Sequence, residues 1–144
     1  MLRWSEVREM YHSGLVEFHS HLHTHRRWDC MPGIRTPQNL LRADVILSRE
    51  RMKEMLGYCS QHLCWPEGWY SPEYIQVVEE LGFTYLYTTE RRMNNPVNGS
   101  QRIGRISTKE RENTGWLKRR LFYYTTLGFS SLMALHKEPR LVVG

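Results

Sequence analysis

Apolar positions along the 144-residue chain change period several times, and each change marks a predicted element. Val7, Met10 and Tyr11 share one side of a predicted helix running from Ser5, as its cap, to about Ser13, with Gly14 as its stop. Leu15 to His19 then reads as a short strand, and Cys30 to Thr36, with Pro32 and Gly33, as a loop. Pro37 or Gln38 opens a longer helix to about Leu56, with Leu41, Val45, Met52 and Met55 as its apolar stripe and Gly57 at its end. Gln61 to Trp65 is the next strand, closed by Pro66-Glu67-Gly68. Ser71 caps a helix with Pro72 at its first position and Tyr74, Ile75, Val78 and Leu81 on its inner face; Gly82 stops it. Phe83 to Thr88 is a strand of aromatic and β-branched residues. Asn94 to Gly99 is turn-rich, Ile103 to Ser107 is a weak strand, and a last helix covers about Trp116 to Leu135, interrupted near Gly128.

Helix and strand thus alternate, which predicts an α/β fold with mainly parallel strands joined by right-handed crossovers. In such sheets chemistry gathers at the carboxyl ends of the strands. Two segments point to that rim: the run His19–His25 after one strand, and Trp65–Tyr70 after the next.

Composition narrows the picture a little. The length suits one domain with a real core. No run of 18 apolar residues is present, so no membrane span is expected, and Met1-Leu2-Arg3-Trp4-Ser5 lacks the apolar stretch of a secretory signal. Cys30, Cys59 and Cys64 are odd in number and lack CxxC spacing, which fits free thiols better than a disulfide framework or a zinc ribbon. The net charge of +5 comes from Arg91, Arg92, Arg102, Arg105, Lys109, Arg111, Lys118, Arg119 and Arg120. With no nucleic-acid motif beside them these read as a solvated face, and no nucleic-acid partner is expected.

The chemistry lies in Glu17-Phe18-His19-Ser20-His21-Leu22-His23-Thr24-His25, which holds four of the seven histidines at every second position. Neutral imidazole is the commonest protein ligand for transition metals, so the run is a candidate metal site. If the segment is extended, all four rings project from one face. If the chain turns after His21, His21 and His25 converge on one ion. The competing explanation is a solvated polar loop.

Three stretches resemble the polysaccharide deacetylases with the NodB-homology domain (carbohydrate esterase family 4). Trp4-Ser5-Glu6-Val7-Arg8-Glu9-Met10, followed by Ser13-Gly14-Leu15-Val16-Glu17-Phe18, is similar to the helix and strand leading into that family's second motif. Ser20-His21-Leu22-His23-Thr24-His25 is similar to its His-(Ser/Thr)-x-x-His metal motif, with Leu22 in place of the usual Ser or Thr. Cys64-Trp65-Pro66-Glu67-Gly68-Trp69-Tyr70-Ser71, and then Glu79 to Thr89, resemble the groove-wall motif and the stretch after it. The likeness covers about residues 3–108 of a single domain 1–144, leaving 109–144 as a C-terminal helical segment. It implies a partial (β/α) barrel and zinc-dependent hydrolysis of N-acetyl groups on an amino-sugar polymer. Zinc, or another divalent transition metal, would be held by His21 and His25, with His19 and His23 outside the ligand positions. The Glu67 backbone N–H would be the oxyanion donor, and Trp65, Pro66, Trp69 and Tyr70 the wall against an N-acetylated polysaccharide. His62 and His136 match no motif position and read as structural or surface residues.

The departures carry weight too. The family's first motif, Thr-Phe-Asp-Asp, supplies the catalytic base and a carboxylate ligand, whereas the aspartates here are Asp29 and Asp44. Asp44, between Ala43 and Val45 in mid-helix, reads as solvated; Asp29, just beyond the histidines, is a distant candidate for the metal. Cys64 stands where an Arg is expected to orient the base, and the late His motif that supplies a general acid is not evident. The expectation is therefore the C-terminal two-thirds of a deacetylase domain with impaired activity. The alternatives are a non-catalytic glycan-binding module, one completed by a partner such as a second copy closing the open barrel, or another metal-dependent amidohydrolase. Relatives usually work in the cell envelope or outside the cell, while an export signal is not seen here.

Overall fold

The computed structural model describes residues 2–31, 33, 35–90, 92–108, 111–126 and 128, with the backbone alone at Asp29 and Asn98. Four helices are present among them: α1 (Trp4–His12), α2 (Pro37–Leu56), α3 (Pro72–Glu80) and α4 (Thr114–Thr125). Two short strands, β1 (His62–Cys64) and β2 (Tyr85–Tyr87), pair in parallel with Leu63 opposite Leu86. Single parallel bridges extend this pair on both sides, Ser20 to Leu63 and Tyr87 to Ile103. Four chain segments therefore lie side by side in sequence order, as in a singly wound sector of a (β/α) barrel. The expected α/β class with parallel strands is what the chain forms.

Residue alternation decides what each sheet face does. Leu63 and Leu86 are fully buried in one cluster with Leu41 and Val45 of α2 and Val78 of α3. The opposite face carries His62, Cys64, Tyr85 and Tyr87, of which Tyr85 is 39% exposed. Helices thus cover one face of the sheet among the described residues, and the chemistry-bearing residues sit on the other.

The helix signals hold with small shifts. α2 starts at Pro37 and ends at Gly57 in the left-handed region (φ 81°), where a side chain would strain the backbone. The Ser71 hydroxyl caps α3 by accepting from Tyr74 N–H, with Pro72 first in the helix. On α3, Val77 is buried beside Tyr74 and Val78, while Ile75 and Leu81 are only partly covered. α1 begins one residue before Ser5, with Arg3 at the cap, because the Glu6 carboxylate reaches back to the Arg3 N–H at 2.6 Å. α4 begins at Thr114, capped by the Asn113 side chain accepting from Trp116 N–H; its predicted continuation toward Leu135, and His136, lie outside the described residues.

The strand boundaries shift more. The segment predicted as a strand, Leu15–His19, forms no bridge among the described residues; the bridge comes one residue later, at Ser20, and Leu15 is 89% exposed. Val16 and Phe18 are half-buried while Leu15 is not, so the alternation is present without a partner strand to pair with. Likewise Ile103–Ser107 contributes the single bridge at Ile103. Truncating a side chain at the centre of the buried face should be costly: Leu63→Ala is expected to lose about 3 kcal/mol in urea unfolding. Gln61→Ala, at an exposed side chain two residues earlier, should stay within about 0.5 kcal/mol.

Candidate metal centre

Ser20 is where the histidine run joins the sheet. Its N–H donates to His62 C=O (3.2 Å) and its C=O accepts from Cys64 N–H (2.9 Å), so His21 emerges at the carboxyl end of β1. Beyond it the chain bends, with Leu22 (φ 66°) and His25 (φ 57°) both left-handed. For side chains with a Cβ that conformation is strained, by about 1–3 kcal/mol each where it persists. What holds it is α2. The Asp44 carboxylate accepts the N–H of His23 (3.0 Å) and of Thr24 (3.1 Å), and one turn on Ser48 Oγ meets Ser20 Oγ at 2.8 Å. Asp44 is only 3% exposed, so the solvated mid-helix residue expected from the sequence is instead a buried anchor. Burying a carboxylate is tolerable here because two backbone donors replace its water.

This bend brings His21 and His25 together, with ring centroids 4.8 Å apart and planes at 65°. His21 Nδ1 lies 2.7 Å from the Cys64 carbonyl. A carbonyl only accepts, so Nδ1 carries the proton and the lone pair of the neutral ring is on Nε2. Metal-ligating histidines are commonly oriented through such a backbone bond. Partial burial of the ring chiefly lowers the His21 pKa below the ordinary histidine range; the Cys64 bond opposes this, and His25 and Arg105 add to it. The shift favours the neutral form of His21, the form able to bind a metal.

The other two histidines of the run go elsewhere. His19 Nδ1 meets Ser60 Oγ at 2.9 Å, and its ring stacks 4.5 Å from His62, which in turn meets the Tyr87 hydroxyl at 2.8 Å. His23 enters through its main chain, in the bond to Asp44. Asp29 falls in the 3-10 turn Trp28–Cys30, and its side chain lies outside the described residues. Among the described residues no group of three or more His, Cys, Asp or Glu side chains converges, so the pair fits as two ligands of a metal site rather than as a whole one.

The second rim segment folds as a 3-10 turn, Pro66–Gly68, with Glu67 left-handed (φ 53°) at its top. Gly68 is obligatory below it: φ is 79°, and a Cβ there would stand 2.2 Å from Thr89 Oγ1. Leu22, His25 and Glu67 are the non-glycine residues of positive φ among those described, and all lie on these two loops. The loops share a cleft lined by Leu22, Arg27, Trp28, Pro66 and Trp69. The predicted aromatic wall divides. Trp65 and Tyr70 are each 1% exposed and pack in the core, so they offer a polymer no surface. Burial first, and then the Glu90 carboxylate that accepts its hydroxyl, push the Tyr70 pKa up to about 12. Trp69 is half-buried and stays at the cleft, with the Arg27 guanidinium 3.8 Å over its ring.

Sequence reasoning missed Asp44 and Ser48, although 41, 44, 45, 48 and 52 form one helical stripe that holds both. It also missed Arg105, whose Nε–H donates to Thr88 C=O at 2.7 Å and whose charge opposes the upward shift that burial gives the Cys64 thiol.

Comparison with known proteins gives the family and the fold. The polysaccharide deacetylase family profile matches residues 2–86. The chain belongs to the polysaccharide deacetylase family, whose members are carbohydrate deacetylases. No curated protein matches the sequence. Among solved structures it is similar in fold to IcaB from Ammonifex degensii, with a TM-score of 0.71 and 22% identity over 85% of this chain and 53% of that one. A de-N-acetylase from Aggregatibacter actinomycetemcomitans gives 0.72 and 22%, over 83% and 53%. The Streptococcus pyogenes deacetylase PplD, in complex with acetate, gives 0.71 and 18%, over 83% and 50%. The chain thus spans about half the length of these structures, all of which share the barrel part that it forms.

Two outcomes follow from the geometry. Asp44→Ala should cost about 3 kcal/mol in urea unfolding, since two charge-assisted bonds are lost, and Asp44→Asn, which keeps one acceptor, about half that. Because folding lowers the pKa values of His21 and His62, the unfolded chain binds more protons below about pH 6.5. The urea midpoint should therefore fall as pH drops from 7 toward 5, and fall less in His21→Gln.

Proposed function

We propose that this chain carries the metal-binding half of a carbohydrate deacetylase site, acting on N-acetyl groups of an amino-sugar polymer. The observation that carries the reading is the bond from His21 Nδ1 to the Cys64 carbonyl, which leaves Nε2 unprotonated beside His25. His21 and His25 would hold zinc or another divalent transition metal, an ion that supplies Lewis-acid chemistry for amide hydrolysis when bound. The chain's own residues position the rest. In this reading the backbone N–H of Glu67, left-handed on its turn between the cleft residues Pro66 and Trp69, would be the donor for charge developing on the acyl oxygen. Trp69 would form the sugar-facing wall, backed from the core by Trp65, the buried Pro66 and Tyr70. Residues 1–144 act as one domain in this reading.

Asp44 cannot serve as the general base while both its oxygens hold the histidine turn. No other carboxylate joins His21 and His25 among the described residues. This favours a chain that binds the metal and turns over slowly by itself, by roughly 10²–10⁴-fold relative to a site with its base. The same observation supports the non-catalytic alternative, in which the cleft binds glycan and a partner completes the site.

Zinc titration by calorimetry and deacetylation of a chito-oligosaccharide test the reading. One zinc per chain is expected, weakened at least 100-fold in His21→Ala and in His25→Ala and unchanged in His19→Ala. Failure to bind zinc at micromolar excess would remove the deacetylase mechanism for this chain. Rapid turnover without any added partner would contradict the half-site.

A further inference from the structure

Helix α4 buries only one of its sides. Tyr124, 6% exposed, meets the 92–106 segment at a cleft that Arg92, Met93, Gly104 and Ile106 also line. Trp116 and Arg120 lie half-buried, with the guanidinium 5.2 Å over the indole ring. The outward side differs in kind. Leu117, Leu121 and Phe122 are 38%, 47% and 55% exposed. Positions 117 and 121, like 118 and 122, are one helical turn apart, so Leu117, Lys118, Leu121 and Phe122 share one arc. Lys118 and Arg119 are exposed beside the leucines, and neither forms an ion pair among the described residues. Thr114–Thr125 contains no Asp or Glu, so the positive charge of Lys118, Arg119 and Arg120 is unopposed within the helix.

Apolar side chains left in water on one arc favour any surface that takes them in, in proportion to the area covered. Here that surface must also accept cations set among them. A lysine stem can lie along apolar surface while its ammonium reaches a charge at the edge. The headgroup layer of an anionic bilayer supplies both, an apolar boundary for leucine and phenylalanine and phosphates at the level of the cationic tips. A protein partner would need roughly 800 Å² of complementary shape on each side, more than three apolar side chains on a convex helix offer. A nucleic acid would take the cations and leave Leu117 and Leu121 in water. We infer that α4 is an interfacial helix that docks its Leu117–Leu121–Phe122 side on an anionic lipid surface, with Lys118 and Arg119 reaching the phosphates. No described helix is long and apolar enough to cross a membrane, so the contact is with the surface.

Flotation with lipid vesicles tests this on the full chain. Vesicles of phosphatidylcholine alone are compared with an equal mixture of phosphatidylcholine and phosphatidylglycerol. The wild-type chain is expected to partition at least tenfold more strongly onto the mixed vesicles. Lys118→Glu with Arg119→Glu should weaken that partition at least tenfold, since each cation near an anionic leaflet is worth roughly fivefold. Leu117→Ser with Leu121→Ser should weaken it at least fivefold. Arg8→Glu with Lys53→Glu makes the same change in net charge at exposed positions of α1 and α2, and should cost less than threefold. Circular dichroism checks the fold of each variant; the charge pair and the leucine pair are independent, so either decides if the other does not fold. No flotation, or equal flotation with both lipids, overturns the inference. So does an α1–α2 reversal as damaging as that on α4, which traces binding to bulk charge, or a leucine pair without effect, which fits a polyanion such as a nucleic acid. If the leucine pair instead breaks a dimer seen by sedimentation, or lowers the urea midpoint with no flotation, a second copy or residues 127–144 cover the arc and the inference falls.

Discussion

The Asp44 carboxylate, buried on α2 and holding the His23 and Thr24 N–H groups, is the constraint on which the candidate site depends. Without it, the strained turn would keep only the bond from Leu22 N–H to Ser20 Oγ, the packing of Leu22 on the core and the His21 bond to Cys64. Because of it the rings of His21 and His25 meet, while His23 takes part through its own backbone N–H and His19, before the bend, stacks on His62. The interaction is electrostatic in origin but structural in effect. A charged group replaces its water with two oriented donors, and the energy stabilises a backbone shape that the local sequence disfavours. Ser48 and Ser20 repeat the device one turn along, where a polar contact sets the depth at which the strand end meets the helix.

The sheet determines which chemistry meets which. Its parallel register places Cys64 beside Tyr87 and leaves the Cys64 carbonyl, at the strand's end, to the His21 ring. Leu63 and Leu86 anchor that register from the buried face, so core packing and ligand orientation are set by adjacent residues of one strand. Past β2, the buried Glu90 gathers Tyr70, Arg92 and Arg102. That network locks the loops carrying Trp69 and Arg105 without entering the cleft itself. Function is thus concentrated on short, strained loops, while a small rigid sheet carries the load of aligning them.

Much of the fold was legible because helix signals are local. Ser71-Pro72, Pro37 and Gly57 each act through their own backbone, and each helix they mark is present. Strands were harder to read, since a segment such as Leu15–His19 becomes strand only if another segment pairs with it, and here the pairing begins at Ser20, just after it. At the site, the ligand type and its clustering were visible in the histidine spacing, and the groove motif located Pro66–Gly68 in a tight turn. What was not visible was the non-local part. Asp44 looks like a surface residue from its neighbours, and its role appears only when residues 21–24 are brought against α2. Trp65 and Tyr70 show the reverse error: aromatic residues in a recognised motif were assigned to the wall, while the demands of a small core buried them.

The most direct measurement is the tautomer of His21, read from long-range nitrogen–proton correlation spectra of the imidazole rings near pH 7. The account predicts a proton on Nδ1, an unprotonated Nε2, and a large upfield movement of the Nε2 signal alone when zinc is added. A proton found on Nε2, or a zinc-induced change confined to Nδ1, would contradict the bond to Cys64 and with it the orientation on which the site rests.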